Sequence, residues 1–134
     1  MLRLKVLREN SNLTQIAQNY AEYLLANDMF EHSGSKFNGD AMGENLHYNS
    51  STGDVSYQPG IATDNWYNEI ADYDFANGDS INGKAVGHFT QVVWKNTKEA
   101  GFGVAMNDHK CVVVGNYYPS GNFMGEETRN VLPK

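Results

Sequence analysis

The chain has 134 residues, of which 40% are apolar and 19% charged, and carries a net charge of −6 at neutral pH. That length suits one domain with its own core. The composition excludes a disordered chain, and the charge argues against nucleic acid as a partner, because there is no basic surplus to neutralise phosphates.

Leu4 to Leu7 reads as a short extended lead-in, and the alternation of charge with aliphatics over Met1–Arg8 makes a poor signal peptide. Ser11 or Asn12 is placed to cap a first helix. In it Leu13, Ile16, Ala17, Tyr20 and Leu24 form one buried stripe, and Asn27-Asp28 ends it. From Glu31 to Gly60 the sequence is rich in Gly, Ser and Asn without periodicity and is read as irregular. A second helix is predicted from Ile61 to Tyr73, and loop residues at Ala76–Asp79 and Asn82-Gly83 follow it.

Gly87–Trp94 reads as a short helical turn. Gly101–Met106 and Lys110–Tyr118 read as strands joined by a tight turn at Asn107-Asp108-His109. Cys111-Val112-Val113-Val114 is apolar on consecutive positions, so both faces of that sheet are expected to be covered. Pro119–Glu127 is read as irregular. No apolar run approaches the ~20 residues that cross a bilayer.

Cys111 is the only cysteine, which leaves no intramolecular disulfide and tilts toward a reducing compartment. The sequons at Asn12 and Asn49 tilt the other way. Within an apolar strand, Cys111 reads as a small buried hydrophobe rather than a nucleophile.

Glu69 is the sharpest anomaly. It lies three residues after Trp66 and four before Tyr73, on the apolar face of the second predicted helix. A carboxylate there is either paired or reaches past the edge of the face to water. His32, Glu44 and His88 sit in or beside Gly-containing segments, and with Glu69 they form no metal motif by spacing. Gly78–Ala85 resembles a phosphate loop but has Ala85 where Ser or Thr is required. His109 reads as a solvated turn residue, and nothing in the sequence fixes the direction of His47. Tyr57, Trp66, Tyr67 and Tyr73 read as core and groove lining.

Four blocks carry a family resemblance. Gly87-His88-Phe89-Thr90-Gln91-Val92-Val93-Trp94-Lys95-Asn96-Thr97 closely resembles the first signature of the CAP superfamily, the cysteine-rich secretory, antigen 5 and pathogenesis-related 1 proteins. Val114-Gly115-Asn116-Tyr117-Tyr118-Pro119-Ser120-Gly121-Asn122 resembles its second. Gly43-Glu44-Asn45-Leu46 and Trp66-Tyr67-Asn68-Glu69-Ile70 match two more, in the family's order. Trp94-Lys95-Asn96-Thr97-Lys98, the Tyr-Tyr-Pro block, the closing Asn130-Val131-Leu132-Pro133 and the lack of paired cysteines are most similar to the Golgi-associated plant pathogenesis-related protein 1 group.

The resemblance implies a single domain over 1–134, an α/β (α+β) three-layer α-β-α sandwich with an antiparallel-rich central sheet and an open cleft. It implies a cleft tetrad of His32, Glu44, Glu69 and His88, in which the two imidazoles hold a weakly bound divalent metal, zinc in first place. The family's usual first helix has no counterpart ahead of Leu4-Lys5-Val6, so the chain is read as truncated at its N-terminus, with an apolar face left for a partner.

The expected function is a binding module for a lipid, a sterol or a protein partner, more in keeping with the family than an enzyme. The alternatives are a zinc hydrolase with Glu44 or Glu69 as general base, and a self-associating domain. An extracellular location follows from the family, and a Golgi-like, membrane-associated one from the nearest group.

Overall fold

The computed structural model describes residues 7–50 and 61–133. Within them, a sheet ordered β1-β7-β8-β4 lies between helices. Its strands are β1 (Arg8–Glu9), β4 (Gly43–Ser50), β7 (Glu99–Met106) and β8 (Lys110–Tyr118). β1 runs parallel to β7, and the other two pairings are antiparallel. The predicted turn holds because the Asn107 side chain accepts the backbone N–H groups of His109 and Lys110, both at 2.9 Å. Leu4 to Val6 of the expected lead-in lies outside the described residues.

The first helix, α1 (Ser11–Ala26), is capped by Asn10 rather than by Ser11 or Asn12. The Asn10 carboxamide accepts from Asn12 N and Leu13 N, satisfying two donors that have no partner within the helix. Leu13, Ala17, Ala21 and Leu24 are its buried stripe, and full burial of each leucine is worth about 1.5–3 kcal/mol. This stripe lies on Val112, Val114, Leu46 and Ala105 of the sheet. Close approach depends on Gly101 and Gly103 in β7, where a Cβ would fall within 2.1–2.4 Å of α1 backbone.

The opposite face is covered by α2 (Ile61–Asn68) and α3 (Gly87–Val93), with Ala62 and Trp66 packed on Cys111 and Val113. Both faces of β8 are therefore buried, as its continuous apolar run requires. A third apolar cluster, Tyr73, Phe89, Trp94 and Val131, fills the space beyond α3.

Three sequence expectations need correction. The stretch read as irregular contains β4 and a small hairpin of β2 (Lys36–Phe37) and β3 (Asp40–Ala41). Gly, Asn and Glu are poor strand formers, and β4 exists because eight consecutive pairings with β8 outweigh that preference. The predicted second helix stops at Asn68 and tightens into a 3₁₀ turn over Glu69–Asp72. The buried Tyr73 then starts β5 (Tyr73–Asp74), which pairs with β6 (Asp79–Ser80), so the phosphate-loop lookalike begins as a hairpin strand. Pro119–Glu127 is irregular until α4 (Glu127–Asn130).

Burial pushes the Cys111 thiol above its ordinary 9.0 and the Tyr117 hydroxyl above its ordinary 10.0. The folded chain thus keeps protons that the unfolded chain gives up. This contribution is complete below pH 9.0, the unfolded thiol value, and is lost as pH rises through the folded values. Thermal melts are expected to be flat from about pH 7.5 to that pH and to fall toward about pH 10.5; a midpoint that holds or rises between pH 9.0 and about 10.5 contradicts the assignment.

Candidate functional site

The Val86 side chain gives α3 no capping hydrogen bond. The helix instead takes its N-terminal acceptor from outside, because the Glu69 carboxylate receives the Phe89 N–H at 3.0 Å. Its second oxygen lies 2.8 Å from His88 Nδ1. Glu69, at the start of the 3₁₀ turn after α2, is therefore paired, the first of the two outcomes its place in the predicted helix allowed. An ionised carboxylate only accepts, so Nδ1 is the donating nitrogen of His88, and in the neutral ring the lone pair lies on Nε2.

The rest of His88 is held as firmly. Trp66 stacks on its ring with centroids 6.2 Å apart, and Asn45 donates to its carbonyl at 3.1 Å. Asn122 donates to the Gly87 carbonyl at 2.8 Å and accepts from the Thr90 hydroxyl at 2.6 Å. Gly121 N donates to the buried Gln91, which donates in turn to Thr97. The two signature segments are thus parts of one scaffold behind His88.

The second His–Glu pair is built on β4. Glu44 Oε1 lies 2.9 Å from His32 Nδ1 and accepts Ser33 N at 2.9 Å, while Oε2 accepts the Ser33 hydroxyl at 2.6 Å. Glu44 is nearly buried and His32 mostly exposed, so this carboxylate too acts as a fixed acceptor beside a solvent-facing ring.

The four residues are two pairs on opposite faces of β4. The ladder sets Glu44 opposite Asn116 and Gly101, on the side of α1, while Asn45 and His47 point toward α2 and α3. Two cavities follow. One of about 340 Å³ is lined by His32, Ser33, Ser35, Glu44, Gln91 and Asn122. The other, about 520 Å³, wraps around β4, with Met29, Phe30, Leu46, Tyr48 and Trp66 as its apolar lining and Glu69, His88 and His47 as its polar wall. The Trp66 indole donates to the Leu46 carbonyl at 3.2 Å, tying α2 to the sheet beside this cavity.

Ser33 is what the sequence reading missed, and His47 was set aside there because nothing fixed its direction. Burial, and then the charge of His88, hold its imidazole below the ordinary 6.5. Its signal was alternation: with Gly43–Tyr48 read as a strand, Asn45 and His47 share a face. His109 is exposed in its turn and Cys111 is buried, both as expected.

The profile of the family described as "CAP: Cysteine-rich secretory protein family" matches residues 1–117. The chain belongs to this family. Golgi-associated plant pathogenesis-related protein 1 of Homo sapiens is 40% identical over 127 residues, spanning 91% of this chain and 77% of that protein. Protein PRY2 of Saccharomyces cerevisiae is 36% identical over 126 residues, spanning 92% of this chain and 34% of that protein. Among solved structures, BmVAL-1 superposes with a TM-score of 0.75 at 24% identity, over all of this chain and 69% of that one. NaASP2 with Zn2+ superposes with a TM-score of 0.67 at 25% identity, over 98% and 69%. The CAP fold with its mixed sheet between helices is therefore established for this chain.

Proposed function

We propose that this CAP domain is a binding module, in which the cavity beside His88 takes the apolar body of an amphiphile such as a sterol or a fatty acyl chain. The observation that carries this reading is the cavity's build. Its volume lies in the range of small-molecule sites, and Met29, Phe30, Leu46, Tyr48 and Trp66 give it an aromatic and aliphatic wall beside the polar Glu69, His88 and His47.

In the same reading His32 and His88 take a divalent metal, zinc in first place. Each ring has a carboxylate on Nδ1, which leaves Nε2 of the neutral imidazole to bind a metal while the acid holds the ring in place. The related NaASP2 was solved with Zn2+. Among the described residues no three His, Cys, Asp or Glu side chains converge on one point. Water would therefore complete the coordination, and affinity is expected to be modest and to fall as the imidazoles protonate.

The same hydrogen bonds weigh against a hydrolase. A general base must accept a proton from attacking water, yet Glu44 already accepts three hydrogen bonds and Glu69 two. In this reading the bonds they hold make them orienting groups for His32, His88 and the start of α3.

Phe30 and Tyr48, exposed aromatics whose rings pair at 5.7 Å, give the direct test. Truncating both to alanine is expected to weaken binding of a fluorescent sterol or fatty acid at least tenfold, because two desolvating walls are lost. His32→Ala with His88→Ala should abolish zinc binding and leave that binding largely intact. Unchanged sterol and fatty-acid affinity in the aromatic double variant would refute the cavity as the site.

A further inference from the structure

The metal reading pairs His88 with His32, yet His32 lines the polar hollow while His88 lines the aromatic cavity. The other imidazole of the aromatic cavity is His47. Three contacts bring His88 against the segment that carries it. Asn45 donates to the His88 carbonyl at 3.1 Å, Trp66 stacks on the His88 ring, and the same indole donates to the Leu46 carbonyl at 3.2 Å. His47 follows Asn45 by two residues in a strand, so it points to the same side about 6.8 Å further along. Among the described residues neither ring nitrogen of His47 takes part in a hydrogen bond, and Nε2 of His88 is likewise uncommitted.

We propose that His47 supplies an imidazole ligand, alongside His88, to a divalent-metal site in the wall of the aromatic cavity. The inference rests on the reading that His88 holds a metal, and it adds a ligand from this chain's own β4. Imidazole donors select zinc or copper over magnesium and calcium, which require oxygen. A metal held there would stand beside the apolar lining and supply a Lewis acid for an anionic or carbonyl group carried on an apolar body.

The test uses the whole chain, stripped of metal with a chelator and titrated with Zn2+ alone. Wild-type protein is followed by histidine-ring NMR, and wild type, His47→Asn and His32→Ala are compared by calorimetry. The expected result is that Zn2+ shifts the His47 ring signals together with those of His88, and that His47→Asn weakens Zn2+ binding at least tenfold. His47 ring signals that stay fixed at saturating Zn2+ overturn the proposal, even if the variant fails to fold, as does wild-type affinity in His47→Asn. If His32→Ala loses the metal while His47 is inert, the His32–His88 pairing stands and this inference falls. If the wild-type chain takes up no Zn2+, the metal reading falls with it.

Discussion

Gly103→Ala is expected to cost about 3 kcal/mol or more, the upper end for overpacking a rigid contact. The added Cβ would lie 2.3 Å from Gln18 N, 2.4 Å from Gln18 Cα and 2.5 Å from Ala17 C, all backbone atoms of α1. No rotamer change relieves a clash with helix backbone, so the helix must lift. Lifting it also breaks the two bonds from the Gln18 side chain to β7, the Val104 N–H at 2.9 Å and the Val104 carbonyl at 2.7 Å. A domain of this kind holds only about 5–15 kcal/mol in total, so the loss should be plain as a lowered urea midpoint. Gly87→Ala is the control, since its Cβ would meet only Asn122 Nδ2 at 3.8 Å. A Gly103→Ala midpoint matching that control would show that α1 is not seated on β7 as described.

The second large effect is on metal rather than stability. Glu69→Gln keeps an oxygen able to accept the Phe89 N–H, but it then turns an NH2 group toward His88 Nδ1. Facing a donor, the imidazole is expected to move its proton to Nε2, which removes the lone pair a metal needs. Loss of an orienting carboxylate of this kind costs about 10–100-fold in metal affinity. Zn2+ calorimetry reads the affinity, and ring ¹⁵N shifts of His88 read the proton. Affinity within twofold of wild type, with Nδ1 still protonated, would mean that Glu69 only caps α3.

The two substitutions probe what was easiest and hardest to read from the residues. The α1 stripe, the β7–β8 hairpin and the doubly covered β8 strand are local patterns, written in spacings of 3 and 4, in alternation and in a run of valines. The Gly-x-Gly of β7 was equally visible, but its meaning was not, since the helix that needs the space lies far away in the chain. The end of α2 at Asn68 was hidden because the residues of the following turn are acceptable in a helix. Where it stops, Glu69 opens the 3₁₀ turn and bonds to the start of α3.

The site divides the same way. Its members, His32, Glu44, Glu69 and His88, were named from motif blocks, and only Glu69 stood out on physical grounds. That they form two hydrogen-bonded pairs on opposite faces of one strand was not legible, because β4 is made of weak strand formers and was read as a loop. The direction of His47 was left open for that reason.

By itself, then, the sequence determined the local elements with strong periodicity and the buried state of Cys111, and it nominated His32, Glu44, Glu69 and His88 through their motif blocks. Tertiary structure alone decided the β4 strand, the partner of each histidine and the cavity that His47 and His88 share. The physical reason is range. Periodicity and capping act over one or two helical turns. The pairing of β4 with β8 and the contact of Glu69 with α3 join residues far apart in the chain, and their energy is not expressed in any single segment.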